Sequence, residues 1–153
     1  MSEIRRIIDQ LQRAFEGNAW HGPSVLEALQ EVTAENALKK PITAAHNIWE
    51  ILLHITAWHI AVTQRLEGYA VELSKEEDWP PVNNNGANSW NSALKLLNES
   101  YENLSKKVSS LSDPDLNKTV PGRDHSVYFL LHGVIQHDLY HAGQISILKK
   151  GQD

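Results

Sequence analysis

Apolar residues recur at intervals of three and four along four long segments of this chain. Such spacing places them on one face of an α-helix, whereas no region shows the period-two alternation of a strand. The predicted helices cover residues 2–16, Asn47–Glu67, Ser89–Leu111 and Ser126–Lys149. The sequence therefore predicts an all-α fold, an antiparallel four-helix bundle with long interhelical loops.

Local signals support the helix starts and the loops. Asn47 followed three positions later by Glu50 is a capping box, which predicts a helix beginning at Asn47. Ser24 precedes VLEAL and predicts a short extra helix. Pro, Asn and Gly interrupt the segments 74–90 and 112–125. Loops of this length often carry substrate contacts.

The composition limits the chemistry and the partners. A chain of 153 residues predicts a single domain over 1–153. It has no cysteine, so any thiol in the reaction would have to arrive with a substrate. The net charge of −5 argues against nucleic-acid binding. No segment approaches the roughly 18 apolar residues of a membrane span, and we expect a cytoplasmic protein without membrane contact.

Two histidines interrupt the apolar face of the last helix, in the segment QHDLYHAGQI. His137 and His141 are one turn apart, so they lie about 40° from each other on the same face. Both rings could reach one zinc ion, whose bonds to nitrogen are about 2.0–2.1 Å long. For an isolated pair of this spacing, the commoner alternative is two packed histidines that are hydrogen-bonded to their neighbours.

A third ligand would come from the second long helix, which contains His54 and His59. They lie about 140° apart on the helix, so both cannot face the same ion. Spacing alone slightly favours His59 but does not decide between them.

Three segments, WHGPSVLEAL, HNIWEILLHITAWH and QHDLYHAGQISILKK, resemble the DinB-like superfamily, which includes the YfiT-like metal hydrolases. The resemblance extends from about residue 2 to residue 150. It implies a four-helix bundle that holds a divalent metal ion, zinc or nickel, on three histidines. The ligands implied here are His54, His137 and His141, which leaves His59 as a pocket residue.

Five side chains near these positions are candidates for orienting the ligands or lining the pocket. Glu50 lies one turn before His54, although the capping box offers it another role. Trp58 could line a pocket or pack in the core. The full set of candidates is Glu50, Trp58, His59, Asp138 and Gln144. The sequence identifies no general acid or base.

The resemblance implies an enzyme, because relatives transfer low-molecular-weight thiols such as bacillithiol or mycothiol, and others are classed as hydrolases. We therefore expect a divalent-metal-dependent enzyme that acts on a small molecule through a metal-bound thiolate or water. The alternative is a non-catalytic metal-binding bundle that serves as a scaffold. Trp20, Trp79 and Trp90 could contribute to a homodimer.

Overall fold

The computed structural model describes residues 1–152, which form an all-helical bundle. The long helices are α1 (Glu3–Phe15), α4 (Ile48–Leu66), α6 (Ala87–Ser109) and α7 (Val127–Lys150). The short ones are α2 (Val25–Leu29), α3 (Ala34–Ala37), α5 (Lys75–Asp78) and a 3-10 turn at Asp113–Asn117. The long helices agree with the predicted ones to within two residues at each end, and the predicted all-α four-helix bundle is confirmed.

Helix α4 runs antiparallel to α7 and parallel to α6. The Trp49 and Trp90 rings, near the starts of α4 and α6, have centroids 5.1 Å apart. Farther along both helices, His59 Nδ1 lies 3.4 Å from Ser100 Oγ. The parallel arrangement requires the chain to return along the whole bundle, which explains the long connection between Glu67 and Gly86.

Helix α1 runs antiparallel to α6. At the end of α1, the Phe15 ring stacks on Tyr101 with centroids 4.0 Å apart. At its start, the Ile4 amide donates to Asp113 Oδ1 at 2.9 Å, just beyond the end of α6. Because α1 and α4 each pack against both α6 and α7, they occupy opposite corners of the bundle.

The capping box that was predicted for α4 is present and fixes where the helix begins. Asn47 Oδ1 accepts from the Glu50 amide at 2.8 Å, and Glu50 Oε2 accepts from the Asn47 amide at 2.9 Å. Ser126 caps α7 by accepting from the Phe129 amide at 3.2 Å.

The tryptophans proposed for a dimer surface have different environments. Trp90 is buried, and its indole N–H donates to the Val32 carbonyl at 3.0 Å. Trp20 is fully exposed. Trp90 therefore belongs to the protein's own core and offers no surface to a second copy. Within residues 1–152, no helix is both long and apolar enough to cross a membrane.

Candidate metal centre

Three imidazoles from two helices converge on one point between α4 and α7. His137 Nε2 lies 2.9 Å from His54 Nε2 and 3.1 Å from His141 Nε2. The candidate ligand atoms of these three residues all lie within 4.8 Å of one another. The structure thus brings His54, not His59, to the pair on α7, and the slight preference that spacing gave to His59 is wrong.

The other ring nitrogen is held by an acceptor in two of the three histidines. His54 Nδ1 donates to the Asp78 backbone carbonyl at 2.6 Å. His141 Nδ1 donates to Gln144 Oε1 at 2.6 Å. A neutral imidazole carries one proton, so these two rings present lone pairs at Nε2. Acceptors of this kind typically fix the tautomer and orientation of metal-binding histidines.

The convergence of the three Nε2 atoms fits a cation better than it fits hydrogen bonds. His137 Nε2 can carry at most one hydrogen, yet it faces two nitrogens whose protons are at Nδ1. In the absence of an ion, His137 Nε2 can donate to only one of these nitrogens, and its contact with the other would bring two lone pairs together. His137 Nδ1 is buried without a hydrogen-bond partner. A single cation would satisfy all three lone pairs, as neutral imidazoles do for divalent ions.

Two of the three separations between the nitrogens also suit an ion. Two nitrogens that are each about 2.0–2.1 Å from one zinc ion lie about 2.9–3.3 Å apart when their bonds meet at about 90–110°. The separations of 2.9 Å between His54 and His137 and 3.1 Å between His137 and His141 lie within this range. Three protein nitrogens leave at least one coordination position open to a small molecule.

The protein keeps the three rings unprotonated. Burial lowers the pKa of His137 to about 2, and the neighbouring imidazoles add to this effect. Burial likewise lowers the pKa of His141 to about 4 and that of His54 below its ordinary value. Neutral imidazole is the form that binds metal, so the environment of the cluster favours binding at neutral pH.

A loop tryptophan covers His54. The Trp79 ring, directly after α5, stacks on His54 with centroids 3.8 Å apart, and His46 stacks on Trp79 at 3.6 Å. Asp78 Oδ1 accepts from the Trp58 indole N–H at 2.7 Å. Asp78, the last residue of α5, and Trp79, which follows it, thus place a carbonyl, a carboxylate and an aromatic ring around His54. None of these contacts was predicted from the sequence.

Two clefts open on opposite sides of the cluster, along the seam between α4 and α7. The first has a volume of about 180 Å³, borders His137 and is lined mainly by apolar residues such as Trp58 and Val134. The second, of about 350 Å³, borders His141 and Trp79. Small molecules could therefore reach the histidines from either side.

The remaining candidates have distinct positions. Glu50 is engaged in the helix cap and lies 3.2 Å from His46 Nδ1. His59 and Asp138 are fully buried and form a pair with each other. Asp138 Oδ1 is 4.0 Å from His137 Nδ1, too far for a hydrogen bond. Gln144 contacts His141, and Trp58 lines the first cleft.

The sequence model of the DinB superfamily matches residues 19–145. The chain belongs to the DinB superfamily. This match confirms the resemblance seen in the sequence, and the three-histidine cluster of this DinB protein fits a metal site. Searches of curated proteins and of solved structures gave no match.

Two residues of the candidate site in this DinB protein were missed by sequence analysis. Asp78 contributes through its backbone carbonyl, which has no sequence signature. For Trp79, the sequence suggested only a contribution to a homodimer. An aromatic residue in the middle of a long polar loop was the one available signal that this loop folds back onto the bundle.

Proposed function

We propose that this DinB-superfamily protein is a divalent-metal-dependent enzyme whose ligands are His54, His137 and His141. The observation that carries the proposal is the convergence of three Nε2 atoms, at 2.9 and 3.1 Å, beside two open clefts. Imidazole ligands suit zinc and nickel. A bound divalent ion would supply Lewis acidity, which lowers the pKa of a water molecule or thiol that it coordinates.

The protein's own residues position the ligands and shield them. Asp78 and Gln144 hold the Nδ1 protons of His54 and His141, so both rings keep Nε2 free. Trp79 and Trp58 cover the cluster on the α4 side, with ring centroids 3.8 and 6.5 Å from that of His54. Excluding water in this way strengthens electrostatic interactions within the site.

We favour transfer of a small thiol over hydrolysis, because no described residue lining the first cleft offers a carboxylate that could move a proton. Metal-dependent hydrolysis usually needs a carboxylate or histidine that moves a proton. The described lining of the first cleft contains no carboxylate; its one histidine besides His137 is His125, and His46 lines the second cleft. In thiol transfer, the sulfur forms a bond to an electrophilic carbon as the leaving group departs with the bonding electrons, and the thiol proton passes to solvent.

Metal binding and turnover in one set of variants test the proposal. The purified protein, reloaded with Zn²⁺ or Ni²⁺, should hold about one equivalent and should catalyse transfer of a biological thiol from a panel to an electrophile. His137→Ala should abolish both properties. His132→Ala changes a half-buried histidine of the same helix that lies outside the cluster and should preserve both.

Two results would contradict the proposal. A metal content below about a tenth of an equivalent after reloading would show that the protein does not bind the proposed cofactor. Full metal loading without turnover of any thiol or hydrolysable ester would instead favour a scaffold role for this bundle.

A further inference from the structure

The smaller cleft beside the histidines has the properties of a binding site for an apolar ring. Its walls are Trp58 and Val62 from α4 and Phe129, Leu130 and Val134 from α7. His137 closes one end, so whatever occupies the cleft lies next to the candidate metal ligands. We name this space the α4–α7 cleft.

The volume and the lining of the α4–α7 cleft suit a benzene-sized group. The cleft encloses about 180 Å³, and an apolar cavity of about 150 Å³ is known to bind benzene. Gly133 widens it, because a Cβ built at this position would meet no atom within 4 Å. Aromatic walls favour a flat ring that can stack or pack edge to face.

Charged groups would find no partner in the α4–α7 cleft. The Arg65 guanidinium lies 5.3 Å from the Trp58 ring, but it donates to the Val71 carbonyl. His125 is the one polar side chain of the described lining besides the indole and His137. Burying a charge without a partner is strongly unfavourable, so the cleft selects an uncharged group.

We propose that the α4–α7 cleft binds an uncharged aromatic ring carried by the substrate and so directs the attached reacting atom toward the histidine cluster. The ring binding depends only on the cleft. Its assignment to a substrate rests on the proposed metal-dependent function. The substrate class is then a small molecule with a phenyl-like group close to its reacting atom, because His137 itself lines the cleft.

Binding of fluorobenzene to the metal-free protein tests the cleft alone, with ¹⁹F line broadening as the readout. In Gly133→Leu, the new side chain should fill the cleft and weaken binding by about tenfold, which corresponds to roughly 60 Å² of lost apolar contact. Gly143→Leu is the matched control, because Gly143 is exposed on the same helix and a Cβ there also meets no atom. Its affinity for fluorobenzene should equal that of the wild type.

A second variant covers the case in which Gly133→Leu does not fold. Phe129 is 64% exposed, so Phe129→Ala removes one wall of the cleft without disturbing the core, and it should weaken fluorobenzene binding about threefold. Absence of binding to the wild type, or equal weakening by Gly143→Leu, would overturn the proposal. The proposal would also be overturned if fluorobenzene changed the backbone amide NMR shifts of Tyr140 and Ile147 alone, because these residues line the larger cleft.

The Co²⁺-loaded protein tests whether the ring belongs to a substrate. The change in its visible spectrum on thiol binding should be half complete at an about tenfold lower concentration of benzyl mercaptan than of methanethiol, because only benzyl mercaptan adds ring contacts. Gly133→Leu should abolish this preference, whereas Gly143→Leu should retain it. If Co²⁺ binds but both thiols act alike, the substrate assignment fails. If fluorobenzene binds but Co²⁺ does not, the proposed metal-dependent function is wrong, whereas the binding of an aromatic ring in the cleft still holds.

Discussion

His59 of α4 donates from Nε2 to both carboxylate oxygens of Asp138 on α7, at 2.9 and 3.0 Å, and both side chains are fully buried. The pair lies next to the histidine cluster, since Asp138 Oδ1 is 4.0 Å from His137 Nδ1. It connects the two helices that supply the histidine cluster. The sequence indicated both residues as neighbours of the site but not their contact with each other.

Removing one member of this pair should strongly destabilise the fold. Asp138→Ala leaves the His59 N–H buried without an acceptor, and we expect the free energy of unfolding to fall by about 3–5 kcal/mol, as for other broken buried pairs. Urea denaturation of the metal-free protein measures the change. Lys95→Ala removes an exposed ion pair with Glu99 and should change stability by less than about 1 kcal/mol.

Replacing both members separates the pair's specific contribution from packing. The double variant His59→Phe, Asp138→Leu should recover much of the loss, because no buried polar group is left unpaired. If the double variant loses as much stability as His59→Phe and Asp138→Leu lose when added together, the contact between the two side chains contributes nothing.

The hydrogen bond from His141 to Gln144 should contribute to metal affinity. Gln144→Ala removes the acceptor at 2.6 Å from His141 Nδ1, and such a loss typically lowers metal affinity about 10–100-fold. Competition for Zn²⁺ against a chromophoric chelator measures it. Gln136→Ala, on an exposed position of the same helix, should leave the affinity unchanged. Equal affinities for the wild type and Gln144→Ala would exclude an orienting role.

The metal-free protein should lose stability as the pH falls below about 6.5, the value of histidine in an unfolded chain. Burial holds the pKa of His137 at about 2 and that of His141 at about 4 in the folded protein. Between these values and about 6.5, the unfolded chain binds more protons than the folded one, so acid favours unfolding.

The size of this effect follows from the two shifts. Going from about pH 7.5 to pH 5 should lower the free energy of unfolding by about 2–4 kcal/mol in total, measured by urea denaturation with a chelator present. The double variant His137→Leu, His141→Leu should show a much flatter pH dependence. A wild-type stability that is constant across this interval would contradict the low pKa values.

Local signals in the sequence were sufficient to predict the four long helices and the short α2, but not α3, α5 or the 3-10 turn. The Asn47–Glu50 capping box and Ser126 placed two helix starts, and the apolar spacing placed the long helices. The pairing of helices was harder to predict, because α4 and α6 run parallel and are joined by a long return. Periodicity shows which residues share a face but not which neighbour that face meets. For this reason it could not distinguish His54 from His59.

The parts of the site that were missed are those that depend on long-range contacts. His137 and His141 are close because they lie one turn apart on α7, so their proximity follows from spacing. Asp78 and Trp79 reach His54 from a loop more than twenty residues later. Their positions depend on how α5 packs against α4, which no local pattern encodes.

The stack of three rings, His46 on Trp79 on His54, should slow the loss of metal. Trp79→Ala uncovers one face of His54 and removes two aromatic contacts, with centroid distances of 3.6 and 3.8 Å. Since the one contact that touches His54 is worth roughly 0.5–1.5 kcal/mol, we expect the Zn²⁺-loaded variant to release its ion to excess chelator about two- to twelvefold faster. Trp79→Phe keeps a stacking ring and should release the ion at nearly the wild-type rate.

Trp20→Ala, at a fully exposed tryptophan, controls for the general loss of an indole. If Trp79→Ala and Trp20→Ala released the ion equally slowly, Trp79 would be a packing residue of the loop and not a cover for the site.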